Sequence, residues 1–209
     1  RPRPLLFTPA QVDTLLRAAA ALRPTDALRP RTYATLFALL AVTGLRVSEA
    51  LALRLDDITA AGLVVRATKF RKSRLVPLHA TTRAGLAAYV AVRGRTAGTC
   101  PYVFVSAHRT ALPYSTVVAT FLALVRGCGL RPRPGLPGPR IHDLRHTFAV
   151  RSLEQCPGDR EAVRRHVVAL STYLGHAHVS DTYWYLQATP ALLRDVATTS
   201  EARAYGGAQ

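Results

Sequence analysis

Apolar positions recur with a helical rhythm over most of the chain. Thr8-Pro9 pairs a capping residue with proline at the first helical position. Val12, Leu15, Leu16 and Ala19 then share one face, predicting a helix through about Leu22. Residues 24–30 carry two prolines and read as a connection. The next run, about Thr32 to Val42, is apolar nearly all round (Leu36, Phe37, Leu39, Leu40), the pattern of a buried helix ended by Gly44. Ser48-Glu49 sits near the start of a third, short helix reaching Leu55. The rhythm changes at Leu63–Thr68 and Arg74–Leu78, two β-rich runs flanking the polar turn Lys69-Phe70-Arg71-Lys72-Ser73, which predicts a hairpin. Helical spacing returns at Thr81–Val92 and Tyr114–Arg126, with Tyr102–Ser106 as a short strand between them. Arg131–Arg140 (RPRPGLPGPR) is a basic Pro/Gly loop, and helices follow at about 142–154, 161–174, 179–186 and 190–204. The fold class is mainly α with one small antiparallel sheet. No internal repeat is visible, and the 209 residues are expected to form a single domain.

Composition narrows the function. Hydrophobic residues make up 49% of the chain, which supplies a real core and excludes a disordered tail. Lys and Arg number 28 against 12 Asp and Glu, for a net charge of +16 and a pI near 11.1. Such an excess calls for a polyanion, nucleic acid before an anionic membrane surface. No apolar run approaches the roughly 18–20 residues needed to cross a bilayer, and no signal peptide opens the sequence. Cys100, Cys128 and Cys156 lack metal-ligand spacing and read as reduced thiols of a cytoplasmic, nucleoid-associated protein. The chain contains no methionine and starts at Arg1, so a longer protein with a further N-terminal part is expected. Only two of the 28 basic residues are lysines, Lys69 and Lys72. Lysine can donate a proton near neutral pH and arginine cannot, which singles these two out.

Three clusters carry candidate chemistry. Thr43-Gly44-Leu45-Arg46-Val47-Ser48-Glu49 puts an arginine directly after a helix break. His142-Asp143-Leu144-Arg145-His146-Thr147 spaces His142 and Arg145 three apart, one helical face that can meet a small anion. Leu174-Gly175-His176 is followed nine residues later by Tyr185. Each alone reads equally as a cap, a solvated face or core. Together they suit one phosphate. Forked arginines offset charge in a pentavalent transition state, histidines donate or shuttle protons, and a tyrosine hydroxyl attacks phosphorus. No Asp/Glu cluster is placed to hold Mg²⁺, so no metal and no cofactor are expected. His176-Ala177-His178 has no third ligand nearby, and His79, His108, His146 and His166 read as structural or surface residues.

The stretches TGLRVSEALALRLDDI, TKFRKSRLVPL, IHDLRHTF and YLGHAHVSDTYWYL, in this order, resemble the catalytic domain of tyrosine recombinases, the phage integrase family. The resemblance runs from about Thr8 to Leu192. It implies Arg46 as the first catalytic arginine, Lys69 as the hairpin lysine that protonates the leaving oxygen, and His142 and Arg145 as the HxxR pair. His176 would be the LGH histidine and Tyr185 the nucleophile, with Glu49 supporting the site. Lys72 competes with Lys69, and counting back from Leu75-Val76-Pro77-Leu78 favours Lys69. Arg71, Lys72, Arg74, Arg131, Arg133 and Arg140 are the expected DNA contacts. The resemblance further implies double-stranded DNA as partner and a homotetramer on paired sites. Residues 1–7 would link to a core-binding domain, and residues 189–209 would dock on a neighbouring protomer through Leu192, Leu193, Val196 and Ala197, a stripe that could instead close the chain's own core. The stretch from Gln155 to His166 is longer and more charged than the family pattern. A type IB topoisomerase-like relaxing enzyme and a non-catalytic DNA-binding regulator are the alternatives.

Overall fold

Thr8 opens helix α1 (Pro9–Ala20) through a reciprocal capping box: its hydroxyl accepts the Gln11 N–H, and the Gln11 side chain accepts the Thr8 N–H. The computed structural model describes residues 5–25, 27–66, 73–131, 138–156, 160–176 and 178–187. They fall into two compact units, residues 5–147 and the residues from 148 onward.

In the first unit, α2 (Leu28–Thr43) begins four residues before the expected start, because Pro30 needs no intrahelical donor in a first turn. Tyr33, Leu36, Phe37, Leu39 and Leu40 are all buried, as an all-round apolar pattern demands. Helix α1 packs on α2 and on α5 (Tyr114–Gly127). Phe121 of α5 meets Phe37 edge-on at 5.7 Å and Phe7 at 6.3 Å, geometry that suits the ring quadrupoles. Helix α3 (Val47–Ala52) stops short of the expected Leu55. A 3₁₀ turn (Leu55–Asp57) takes over, held where the Asp57 carboxylate accepts the Arg54 N–H at 2.9 Å and binds the Arg66 side chain.

Strands β1 (Leu63–Val65) and β2 (Arg74–Val76) pair antiparallel with Leu63 opposite Val76 and Val65 opposite Arg74. Both are shorter than expected, and the turn residues 67–72 lie outside the described residues. Helix α4 (Ala80–Thr96) packs on α2, where the Thr32 and Tyr89 hydroxyls meet at 3.2 Å. Tyr102–Ser106 forms isolated bridges, Arg54 to Tyr102 and Val105 to Ala111, in place of the expected strand. The buried Arg93 guanidinium draws this segment in by donating to the carbonyls of Cys100 and Tyr102.

Helix α6 (Asp143–Glu154) starts in the first unit and ends in the second. The second unit also holds α7 (Arg160–Leu174) and α8 (Ser180–Gln187). Its core joins Ala149, Val150 and Leu153 to Val167, Leu170, Leu174 and Tyr185. The expected helix at 190–204 and the docking stripe within 189–209 lie outside the described residues. Cys100, Cys128 and Cys156 form no disulfide. Among the described residues no helix is long and apolar enough to cross a membrane.

Candidate active site

The first unit gathers its basic site at the end of α2. Gly44 takes φ 61°, a left-handed cap that glycine adopts without steric cost, and its N–H donates to the Leu40 carbonyl at 3.0 Å. That cap turns the chain through buried Leu45 and places Arg46 at the N-cap of α3. Glu49, one helical turn on, reaches back. Its Oε2 accepts the Arg46 backbone N–H at 3.0 Å, and its Oε1 accepts Arg46 Nη1 at 2.8 Å. From β2, Arg74 clamps the same carboxylate with two parallel bonds, Nη1 to Oε1 at 3.0 Å and Nη2 to Oε2 at 2.7 Å.

Burial alone would raise the Glu49 pKa. The bonds from Arg74 and from the Arg46 N–H win, holding it at about 2 against an ordinary 4.5. The depressed value means that the stability contributed by Glu49 is fully present above pH 4.5 and is lost as pH falls toward 2. The difference amounts to on the order of 3 kcal/mol. Urea midpoints measured between pH 5 and 2 should therefore fall more steeply for the wild type than for Glu49→Gln, whose deficit is largest above pH 4.5 and shrinks as pH falls toward 2. Parallel slopes for the two proteins would contradict the assignment.

Helix α6 supplies the other half of this cluster. Arg145 is 2% exposed, and its Nη1 donates to the Gly44 carbonyl at 2.7 Å, which ties α6 to the turn carrying Arg46. His142 lies one residue ahead of α6 with an exposed edge, its ring meeting His146 edge-on at 4.6 Å. Burial of its inner face and then the Arg145 charge lower the His142 pKa, with Asp143 opposing. Asp143 is fully buried and accepts the Arg140 N–H at 2.8 Å, which closes the turn leading into the helix. Arg140 Nη2 reaches the same carboxylate at 3.3 Å, and Arg131 Nη1 donates to the Pro139 carbonyl at 2.9 Å.

The second unit holds the other two candidates. Leu174 ends α7, Gly175 takes φ 68°, and the His176 N–H returns to the Ser171 carbonyl at 3.0 Å. This left-handed cap, a Schellman turn, explains the Leu-Gly-His order: glycine makes the reversal and histidine is the first residue past it. His176 Nδ1 lies 2.7 Å from the Thr182 hydroxyl of α8, which fixes the ring and directs Nε2 to the opposite side. The Tyr185 ring lies parallel to His176, with centroids 6.0 Å apart, and is 3% exposed, whereas Tyr183 is 55% exposed. Tyr173 stacks on Phe148 at 5.6 Å.

Arg46, Glu49, His142 and Arg145 thus share one unit, and His176 shares the other with Tyr185. Lys69, Arg71, Lys72 and Arg133 lie outside the described residues. Arg74, expected at DNA, has its guanidinium on Glu49. Thr182 escaped the sequence reading, since a buried threonine three residues before a tyrosine looks like helix packing. Among the described residues no group of three His, Cys, Asp or Glu side chains could hold a metal ion.

Residues 6–191 match the phage integrase family. A protein of Sinorhizobium fredii named integrase/recombinase y4rB is 43% identical over 211 residues, covering 97% of this chain and 67% of its own length. A protein of Rhodospirillum centenum named tyrosine recombinase XerC is 35% identical over 207 residues, covering 97% of this chain and 55% of that protein. The crystal structure of XerA recombinase matches with a TM-score of 0.71 at 26% identity, over 96% of this chain and 65% of that one. A lambda integrase tetramer bound to a Holliday junction matches with a TM-score of 0.61 at 20% identity, over 87% and 48%, a likeness of fold alone. The chain spans about two thirds or less of the length of these relatives.

Proposed function

The chain belongs to the phage integrase family, and on that premise we propose that it is the catalytic part of a tyrosine-type site-specific DNA recombinase. It breaks and rejoins strands through a covalent 3′-phosphotyrosyl intermediate. Residues 1–209 act as one catalytic domain, and Arg46, Arg145, His142 and His176 serve the same scissile phosphate. The Tyr185 hydroxyl attacks phosphorus and passes its proton to a histidine of the site, the P–O bond to the 5′ sugar oxygen breaks, and Lys69 supplies the proton that oxygen takes up. The bond energy is kept in the phosphotyrosine, so the cycle needs neither metal nor ATP. The observation that carries this reading is Tyr185 held ring to ring with His176, whose Nδ1 is fixed by the Thr182 hydroxyl. A regulator that only bound DNA would have no use for that arrangement.

Double-stranded DNA is the substrate, met along its backbone by Arg71, Lys72, Arg131, Arg133 and Arg140, and the protein works in the cytoplasm at the nucleoid. Four copies assemble on paired sites, a reading supported by the family and by the lambda integrase tetramer on its junction.

The test is covalent trapping with the full-length protein on nicked duplexes carrying candidate sites. A protein–DNA adduct that survives denaturation is expected, with affinity falling as salt rises, by about 0.9 log unit per log unit of salt for each phosphate neutralised. Recombinants between paired sites separate this reading from topoisomerase-like activity, which yields relaxed plasmid only. Failure to form any adduct on DNA that is demonstrably bound would overturn it.

A further inference from the structure

We infer that Arg74 is a positioning residue for Arg46, acting through Glu49, and is not a DNA contact. The inference rests on the recombinase reading above and assigns a new role at the same site.

Strand alternation sets the direction of the side chain. Arg74 and Val76 share one face of β2 and Leu75 takes the other. Val76 is fully buried and Leu75 is 46% exposed, so the Arg74 face is the inward one. The Arg74 side chain is accordingly 11% exposed and that of Glu49 8%, while Arg46 keeps 32%. Of the two guanidiniums on this carboxylate, Arg46 is the one solvent and a phosphate can reach.

The bonding pattern supplies the mechanism. Each Glu49 oxygen accepts one bond from Arg46 and one from Arg74. A half-exposed arginine bonded to a glutamate three residues on is a weak constraint by itself. The forked clamp from Arg74 fixes the plane of the carboxylate, and a fixed carboxylate holds Arg46 Nη1 and the α3 N-cap in one geometry. Arg74 also shares the negative charge of Glu49, so Arg46 is not fully neutralised and retains attraction for the phosphate.

The test uses the full-length protein in single-turnover cleavage and DNA titrations. Arg74→Gln should slow cleavage about 10²-fold, the scale expected when a reacting group is misplaced by about 1 Å. Its log–log salt slope should match the wild type. Combined with Glu49→Gln it should add little, because the clamp then has nothing to act through. A substrate whose 5′ bridging oxygen is sulfur should not rescue Arg74→Gln, since Arg46 binds the phosphate and does not protonate the leaving group. Arg74→Lys, which keeps the charge without the fork, should be intermediate and stands in if the Gln variant fails to fold. A salt slope lowered by about 0.9, with cleavage restored at saturating protein, would make Arg74 a phosphate contact and overturn the inference. Sulfur rescue would overturn it as well, placing Arg74 in the leaving-group step. Should the wild type form no adduct at all, the recombinase reading fails. The Glu49 carboxyl titration, followed by NMR, still decides the clamp: it should move from about 2 toward 4.5 in Arg74→Gln, and an unmoved titration refutes it.

Discussion

Tyr185→Phe is expected to abolish the covalent protein–DNA adduct while leaving DNA affinity and folding close to wild type. Only a hydroxyl is lost. The ring keeps its place among Val167, Leu170 and Leu174 and beside His176, so the apolar burial that holds α8 against α6 and α7 is retained. The chemistry has no substitute, because phenylalanine offers phosphorus no nucleophile and the adduct should fall below detection. Neighbouring tyrosines do not fill the gap. Tyr183 is two residues away, about 200° around the helix, and is 55% exposed where Tyr185 is 3%. Tyr173 is committed to its stack with Phe148. Tyr183→Phe should therefore form the adduct at the wild-type rate. Peptide mapping of trapped complexes decides the matter, and a phosphotyrosyl bond on Tyr183 would refute the assignment.

Arg145→Ala should combine a catalytic with a structural loss. The guanidinium is 2% exposed and bonds the Gly44 carbonyl across 101 residues of sequence, so removing it strips a charged donor from a buried acceptor. A loss of about 1.5–3 kcal/mol in folding stability follows. Cleavage should drop about 10²–10³-fold, the scale seen when one preorganised donor to transition-state charge is removed. Arg145→Lys separates the two effects. It retains the positive charge and much of the packing, so its unfolding midpoint should recover most of the loss. Its single-turnover rate should stay at least tenfold below wild type, because one ammonium cannot hold a backbone carbonyl and a phosphate with the same fork. Wild-type cleavage by Arg145→Lys would remove Arg145 from the phosphate site.

Much of the fold and of the candidate site was legible in order and spacing. The all-round apolar run of α2 announces burial, and Gly44 announces its end. The helical angle already set Tyr183 and Tyr185 on different faces. All of these are local: they depend on residues within about two turns of one another, where backbone geometry alone relates side chains. Element ends were less legible. Pro30 looked like part of a connection and proved to be first-turn helix, and Tyr102–Ser106 has the composition of a strand but among the described residues makes only isolated bridges.

What only the tertiary structure decided is where the long charged side chains go. Arg74 sits in a basic hairpin and reads as a DNA contact, yet its guanidinium closes on Glu49, 25 residues earlier in the chain. Arg145 reads as a phosphate ligand and proves also to anchor α6 to the Gly44 turn. Nothing in the spacing of a motif distinguishes these outcomes, because arginine's donors can serve a carboxylate, a carbonyl or a phosphate. The choice falls to whichever acceptor the packing brings within reach. In this chain a two-stranded sheet with one inward face brings Glu49 to Arg74, and a left-handed glycine cap brings its carbonyl to Arg145.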